Sequence, residues 1–372
     1  MRHWVAFLLF FLCSSVSWAK SELTTTHNPK SFSVLLVNPS IENDPFWFKV
    51  ERVAQAAAQQ LNIELSIIYG DGNRFAQLEE LKKYLEYQAI PDYVVLIHYP
   101  GGAIQASKLL SQYPVQFITL EQTISGKERE AIGKPKQYYP NWIGEIYHDN
   151  YHAGYELAKA LSEPLLQRKL PVYPILLNGH YGSESDARSD GARAYFSSQN
   201  IEIVQSVFAN WSQEQAIEKT EKLIRRHPEI NVIWSASDLM AIGSESAVYA
   251  AKLDHTVQIG GFDWLDDVVP LIQNGQINAS VGGHFMMAAW ALVSLYDHHN
   301  KRSYWQNNQE LIFDLTVLNQ KTMAELSWLS KDHDWSLVDF RALTLTASKQ
   351  PEYPFIHHFE HWLATEKELS IH

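Results

Sequence analysis

One cysteine among 372 residues removes several kinds of chemistry at once. It is Cys13, inside an N-terminal segment read below as one that is removed, so the mature chain has no disulfide, thiolate nucleophile or Cys-ligated metal. Positive charge is short as well. Thirty Lys and Arg stand against 42 Asp and Glu, a formal charge of −12, which argues against nucleic acid and anionic membrane surfaces as partners. Long hydrophobic runs are missing: Val5 to Leu12 is far below the roughly 20 residues a spanning helix needs, and no later run approaches that length without charges. G-x-G-x-x-G, a Walker loop and G-x-S-x-G are all absent, so nucleotide binding and an α/β-hydrolase triad have no support.

What is present begins with Arg2 and His3, the apolar run to Leu12, and small residues Ser17 and Ala19 before Lys20. This is the pattern of an export signal over residues 1–19. A lipid anchor at Cys13 is the competing reading, and Phe11 and Leu12 make poor neighbours for it. The mature chain is therefore expected to be soluble outside the cytoplasm. Residues 20–31 are polar and Thr-rich and read as a tether. The remainder exceeds one ordinary domain of about 100 to 200 residues, so two lobes are expected.

From Phe32 onward, apolar runs of strand length alternate with helical patterns. Strands are expected at Ser33–Val37, Ile63–Tyr69, Tyr93–Ile97, Val115–Leu120, Trp142–Tyr147, Val172–Leu177, Ile201–Val207, Val232–Ser235, Gln258–Gly261, Ala279–Val281 and Leu311–Leu318. Short connections and regular alternation imply an α/β fold with parallel sheets covered on both faces. Asn231 to Val248, NVIWSASDLMAIGSESAV, shows the unit most clearly, since a buried strand runs through Ala236, Ser237 and Asp238 into a helix. A carboxylate there is either a helix cap or a ligand contact, because ligands of open α/β sheets collect beside the carboxyl ends of strands.

Four segments then carry a resemblance. They are Asn43-Asp44-Pro45-Phe46-Trp47, Ser185-Asp186-Ala187-Arg188-Ser189-Asp190-Gly191, Ser237-Asp238-Leu239-Met240-Ala241-Ile242-Gly243 and Gly260-Gly261-Phe262-Asp263. In order and approximate spacing they resemble the type I periplasmic sugar-binding proteins, the ribose- and galactose-binding group that shares its fold with the LacI-type repressor core. Trp142 to Gly154 adds a strand followed by Asp-Asn-x-x-Gly. The resemblance implies two Rossmann-like lobes joined by three crossovers with ligand between them. It places residues 32–141 plus 283–310 in the first lobe, 142–282 plus 311–330 in the second, and 331–372 in a C-terminal extension.

By the same resemblance the ligand-binding residues are Phe46, Trp47, Glu121, Arg188, Ser237, Asp238, Asp263 and His284. Arg188 offers a fixed fork of donors and Asp263 accepts from hydroxyls, unless it serves only its turn. Of Phe46 and Trp47, one is expected in the core and Trp47 is the preferred wall against the C–H face of a sugar. Three departures keep ribose and galactose from being carried over. Ser237 stands where the family has Asn, Glu121-Gln122 lacks the basic partner of an acidic-basic pair, and His284 falls near the family's last-crossover Gln. Trp47, Arg188, Ser237 and Asp238 are also similar, more loosely, to autoinducer-2 receptors, which work through a sensor kinase.

The expectation is a periplasmic solute-binding protein without cofactor or metal. It clamps a sugar- or polyol-like molecule and presents it to an ABC importer or to a sensor protein's periplasmic domain. The alternative is an exported carbohydrate-active hydrolase, whose paired acids sequence cannot place. His357-His358-Phe359-Glu360-His361 matches H-x-x-E-H, a zinc-protease pattern, and is read instead as a helical face because a third ligand is not evident.

Overall fold

The computed structural model describes residues 31–121, 124–253, 256–323, 334–349 and 352–353. The expected export signal and the H-x-x-E-H stretch lie outside the described residues.

The first half of the chain runs β1 (Phe32–Asn38), α1 (Pro45–Leu61), β2 (Ile63–Tyr69), α2 (Arg74–Tyr87), β3 (Tyr93–Ile97), α3 (Ala103–Leu110), β4 (Gln116–Leu120), α4 (Gly126–Ile132) and β5 (Trp142–His148). The second continues with α5 (Asn150–Gln167), β6 (Pro174–Asn178), α6 (Ser183–Ser198), β7 (Gln205–Phe208), α7 (Gln213–Arg226), β8 (Val232–Ser235), α8 (Asp238–Ala250), β9 (Gln258–Phe262), α9 (Val268–Gln273) and β10 (Ala279–Gly282). A 3-10 turn at His284–Met286 leads into α10 (Met287–His299), and β11 (Glu310–Phe313) and β12 (Thr316–Leu318) follow.

These strands form two six-stranded sheets, ordered β11-β5-β4-β3-β1-β2 and β12-β10-β9-β8-β6-β7. All pairings are parallel except β12 against β10. Central strands such as β3 (YVVLI) and β6 (PILLN) are buried at every position, as a strand covered by helices on both faces must be. In β2, at the edge, only Ile63 is buried.

The chain passes between the sheets at His148–Asn150, Gly282–His284 and Phe313–Thr316. This corrects the expected lobe boundaries. Trp142–His148 belongs to the first sheet, pairing with β4, so the second lobe begins after His148 rather than at Trp142. Leu311–Leu318 is two strands: β11 joins the first sheet beside β5, and β12 joins the second beside β10. An apolar run reveals that a strand exists and says nothing about which edge receives it.

The described part of the C-terminal extension, residues 334–349 and 352–353, packs on the lobes. Gln60 at the end of α1 donates to the carbonyls of Ser336 and Val338 (3.1 and 2.6 Å) and accepts from the Phe340 N–H (2.9 Å). The buried Asp297 of α10 accepts from Leu345 N (2.7 Å), Thr346 N (2.9 Å), Thr346 Oγ1 (2.6 Å) and the Tyr353 hydroxyl (3.0 Å). With this segment on one side and α1 on another, α10 is buried from Met287 to Asp297.

Candidate functional site: a cleft between the two sheets

A cavity of about 290 Å³ lies where the carboxyl ends of both sheets face each other. Asp44 prepares its first wall. The carboxylate accepts from Phe46 N and Trp47 N (both 3.1 Å) and from Ser40 Oγ (3.0 Å), and Pro45 occupies the first helical position, so α1 starts with both rings held at the opening. Phe46 and Trp47 are both half-buried and both line the cavity, which corrects the division into one core and one wall residue. Phe46 also packs on the His284 ring at 4.6 Å between centroids.

His98 and Glu121 follow the ends of the adjacent strands β3 and β4 and line the same space. Both ring nitrogens of buried His98 are without a hydrogen-bond partner in the protein, and burial, with Arg129 adding, holds its pKa down at about 3. Glu121 adopts φ 59°, a left-handed backbone just past the end of β4. Its Oε2 has no hydrogen-bond partner; His148 Nε2 is 3.8 Å away. Burial pushes the Glu121 pKa up to about 8, Arg188 opposes the rise, and Glu184 and Asp263 reinforce it.

The second lobe supplies Arg188 from α6. Two glycines make its placement possible, since a Cβ at Gly154 would stand 1.8 Å from the Arg188 carbonyl oxygen and one at Gly191 1.8 Å from the Tyr151 carbonyl oxygen. Only bare backbone lets α5 and α6 touch this closely. The guanidinium then donates through Nε to Asn150 Oδ1 (2.8 Å) and through Nη1 to the Ala236 carbonyl (2.9 Å), lies over the Phe262 ring (4.6 Å), and stands 4.0 Å from Asp263 Oδ1.

Asp263 sits just past β9 with φ 112° and is followed by Trp264 at φ 52°, two consecutive left-handed residues that are not glycine. Its Oδ1 is 3.1 Å from His284 Nε2. Burial raises its pKa to about 7, with Arg188 and Lys49 among the opposing influences. Burial drives His284 and His148 well below the usual histidine range, so both rings are neutral. Ser237 caps α8 through its hydroxyl, which accepts from Met240 N (3.4 Å), and it also lines the cavity.

Asp238 is a correction. Its carboxylate is fully buried and occupied, accepting from Ser280 Oγ at 2.8 and 3.0 Å and from Leu265 N at 3.0 Å, and it is not part of the cavity lining. It ties the start of α8 to β10 and to the loop beyond Asp263. The remaining expected residues, Phe46, Trp47, Glu121, Arg188, Ser237, Asp263 and His284, all line one space.

Sequence reasoning missed His98, Glu184, Asn210 and Trp211, which line it too. Asn210 and Trp211 take φ 54° and 61° just after β7, and the indole lies on Gly179, where a Cβ would come within 2.1 Å of the ring. Their position after a strand was the available signal. The expected end of that strand, Val207, was one residue short of the observed Phe208.

The lining as a whole combines four aromatic rings, Phe46, Trp47, Tyr99 and Trp211, with a few placed polar groups, an arrangement suited to a small polyhydroxylated molecule. Among the described residues no group of three or more His, Cys, Asp or Glu could hold a metal ion. No described helix is long and apolar enough to cross a membrane.

Comparison with known proteins agrees with this architecture. Residues 146–302 match the model of a periplasmic binding protein domain. The chain is 27% identical over 127 residues to a D-apiose import binding protein of Paraburkholderia graminis, covering 34% of this chain and 40% of that one. It is 31% identical over 108 residues to the D-allose-binding periplasmic protein of Escherichia coli K12, covering 28% and 35%. These alignments thus span well under half the length of either relative. In three dimensions it superposes on a periplasmic sugar-binding protein from Pseudomonas fluorescens with a TM-score of 0.77 at 23% identity, over 89% of this chain and 99% of the other.

Proposed function

The chain belongs to the type I periplasmic sugar-binding protein family, and from that premise we propose that it is a periplasmic solute-binding protein that grips a small sugar- or polyol-like ligand between its two lobes. One observation carries the reading. The cavity is built from both sheets and brings polar side chains of both, Glu121, Arg188, Ser237 and Asp263, together with the aromatic rings that line it. Two of the lining residues, Glu121 and His98, also carry buried polar atoms, Glu121 Oε2 and both His98 ring nitrogens, with no partner in the protein, and unpaired groups of this kind cost free energy. Aromatic faces at Trp47, Phe46 and Trp211 suit the C–H face of a sugar, while Arg188, Asp263, Ser237 and His284 supply donors and acceptors from the second lobe and the crossover.

A ligand that bonds groups of both lobes favours the arrangement in which they approach, and that arrangement is what a membrane partner would read. Relatives named for import favour an ABC permease as that partner. The segment docked on α1 and α10 adds a surface of its own, and for that reason a sensor protein's periplasmic domain is the second reading.

Titration calorimetry against pentoses, hexoses, amino sugars and polyols tests the proposal, with the recovered ligand analysed by mass spectrometry. Stoichiometric binding of an unchanged sugar supports it. Turnover would replace it with the carbohydrate-active hydrolase, and absence of binding across the panel would end it.

A further inference from the structure

His148 does not line the cavity, yet its buried ring lies where the three crossovers meet. It ends β5 on the first crossover, packs at 4.9 Å between centroids on His284 of the second, and at 5.7 Å on Phe313, where the third begins. The hydrogen bonds around it have one solution. Arg188 Nε can only donate, so the Asn150 atom 2.8 Å from it is the amide oxygen. The same oxygen lies 2.9 Å from His148 Nε2, so the ring proton is on Nε2 and donates to it. Two donors fix the Asn150 amide, and the amide fixes the guanidinium of a cavity-lining residue.

A second proton on the ring would disturb this arrangement. It would go to Nδ1, which is buried and without a hydrogen-bond partner, and the charge would stand beside Arg188, whose Nη2 is 3.5 Å from Nε2. A buried donor without an acceptor and a like charge that close are both unfavourable. Among the described residues, nothing around the ring compensates. Glu121, past β4, is 3.8 Å away, and burial raises it to about 8, so it keeps its own proton in acid. His284 is itself neutral, with Arg188 and Lys49 of α1 acting on it, and Asp263, past β9, is engaged by His284 and Arg188. Asp149, next in sequence, accepts from the His152 N–H at the start of α5. Burial, with His284 and Arg188, accordingly holds His148 well below the usual histidine range.

We propose that His148 is a positioning residue of the ligand site: as a neutral ring it holds Arg188 through Asn150, and it gives up that hold when it takes a second proton. This rests on the sugar-clamp reading above and adds the group behind Arg188. A charged ring would need water or an acceptor that displaced crossovers would have to supply, so the arrangement that binds is the unprotonated one. The His148 contribution is therefore fully present above the ordinary histidine value of about 6.5 and is lost as the pH falls below it. Glu121 and Asp263, both raised by burial, act in the opposite direction and are common to wild type and variant.

The first test is nuclear magnetic resonance on the purified mature protein with nitrogen-labelled histidine and arginine. The His148 signals, assigned by their loss in His148→Gln, should show a neutral ring with its proton on Nε2 down to about pH 5.5, a full unit below the ordinary histidine value. The Arg188 Nε–H, assigned with Arg188→Lys, should exchange with water about tenfold faster in His148→Ala than in the wild type, the scale of one lost hydrogen bond. His148→Gln, which brings an N–H of its own to Asn150, should restore most of that protection. Calorimetry with D-ribose, D-glucose, D-galactose and myo-inositol gives the second readout. For each one bound, the ratio of wild-type to His148→Gln dissociation constants should rise about tenfold from pH 7.5 to 5.5, the linkage expected of one proton. If His148 titrates near 6.5, if His148→Ala leaves the Arg188 exchange rate unchanged, or if the ratio is flat, the proposal is overturned and the sugar clamp stands. Failure of all four probes to bind counts against the sugar-clamp reading, and the resonance experiments then decide the role of His148 alone.

Discussion

Glu121 shows how a single residue can set the pH dependence of the empty protein. Its ordinary pKa of 4.5 is raised to about 8 by burial, so the folded chain holds a proton that the unfolded chain gives up. The stability linked to that proton is fully present below about pH 4.5 and is lost as the pH climbs through about 8. Glu121→Gln removes the penalty. At pH 9 the variant should melt several degrees above the parent, by the usual relation of a few degrees per kcal/mol, whereas at pH 5 the two should agree within about a degree. Equal shifts at both pH values would show that packing rather than ionisation is responsible. The buried histidines act in the other direction, since His98 is held at about 3 and favours the fold above about 6.5, but they are common to both proteins and cancel in the comparison. Part of this chemistry was legible in the sequence. Asp263 and Glu121 could be placed because each directly follows a strand, and Arg188 because it falls in a segment that resembles a family motif. His98 and Trp211 also come after strands, but neither falls in one of the segments that carry the resemblance, so that position alone did not single them out. Asp238 was misplaced for a geometric reason: strand end and helix start coincide there, and the outward-facing position went to Ser237.

Between elements, the contact that places Arg188 is the crossing of α5 and α6. Gly191→Ala would drive a methyl group into the Tyr151 carbonyl, which the backbone cannot avoid without moving one helix. Overpacking of this kind costs about 1–3 kcal/mol, so denaturant unfolding should show a loss of that size. Ligand affinity should fall as well, because Arg188 shifts relative to Asn150 and Ala236; unchanged affinity would mean that the guanidinium reaches its partners from a displaced helix. The docked C-terminal segment depends on Asp297 in the same way. Asp297→Ala strips four donors of their acceptor, at about 1–3 kcal/mol for each buried group left unpaired. The variant should be cleaved faster within residues 334–353 under limited proteolysis. Alternation and period announced nearly every helix and strand of the two lobes. They did not announce this segment, whose hydrogen-bonding anchors Gln60 and Asp297 are distant in sequence, nor the sheet that β5 and β11 join, because pairing across a crossover leaves no trace in local pattern.

On the scale of the molecule, the question is what holds the lobes in the arrangement seen here before any ligand contributes. Lys49 is the clearest protein group to do so. From α1 in the first lobe its ammonium donates to the Trp264 carbonyl (2.7 Å) and to Asp266 Oδ1 (3.0 Å) in the second, and it lies over the ring of Phe285 in the crossover (4.6 Å). The Trp264 carbonyl belongs to the left-handed loop that begins at Asp263, so the same bond steadies a cavity residue. Burial pushes the Lys49 pKa down, while Asp266 works against that fall, and the charge is tolerated only with its partners in place. If the lobes separate, ammonium and carboxylate both return to water, so the clasp favours the approached form by less than its bond lengths suggest. Lys49→Met keeps the stem against Phe285 and removes the charge. For a ligand that binds the wild type, the variant should release it about tenfold faster with little change in association rate, the usual pattern when contacts formed after encounter are lost. Small-angle scattering should then show the unliganded variant with a larger radius of gyration than the unliganded wild type. Should both the release rate and the radius match the wild type, the crossovers and the ligand hold the lobes without help from Lys49.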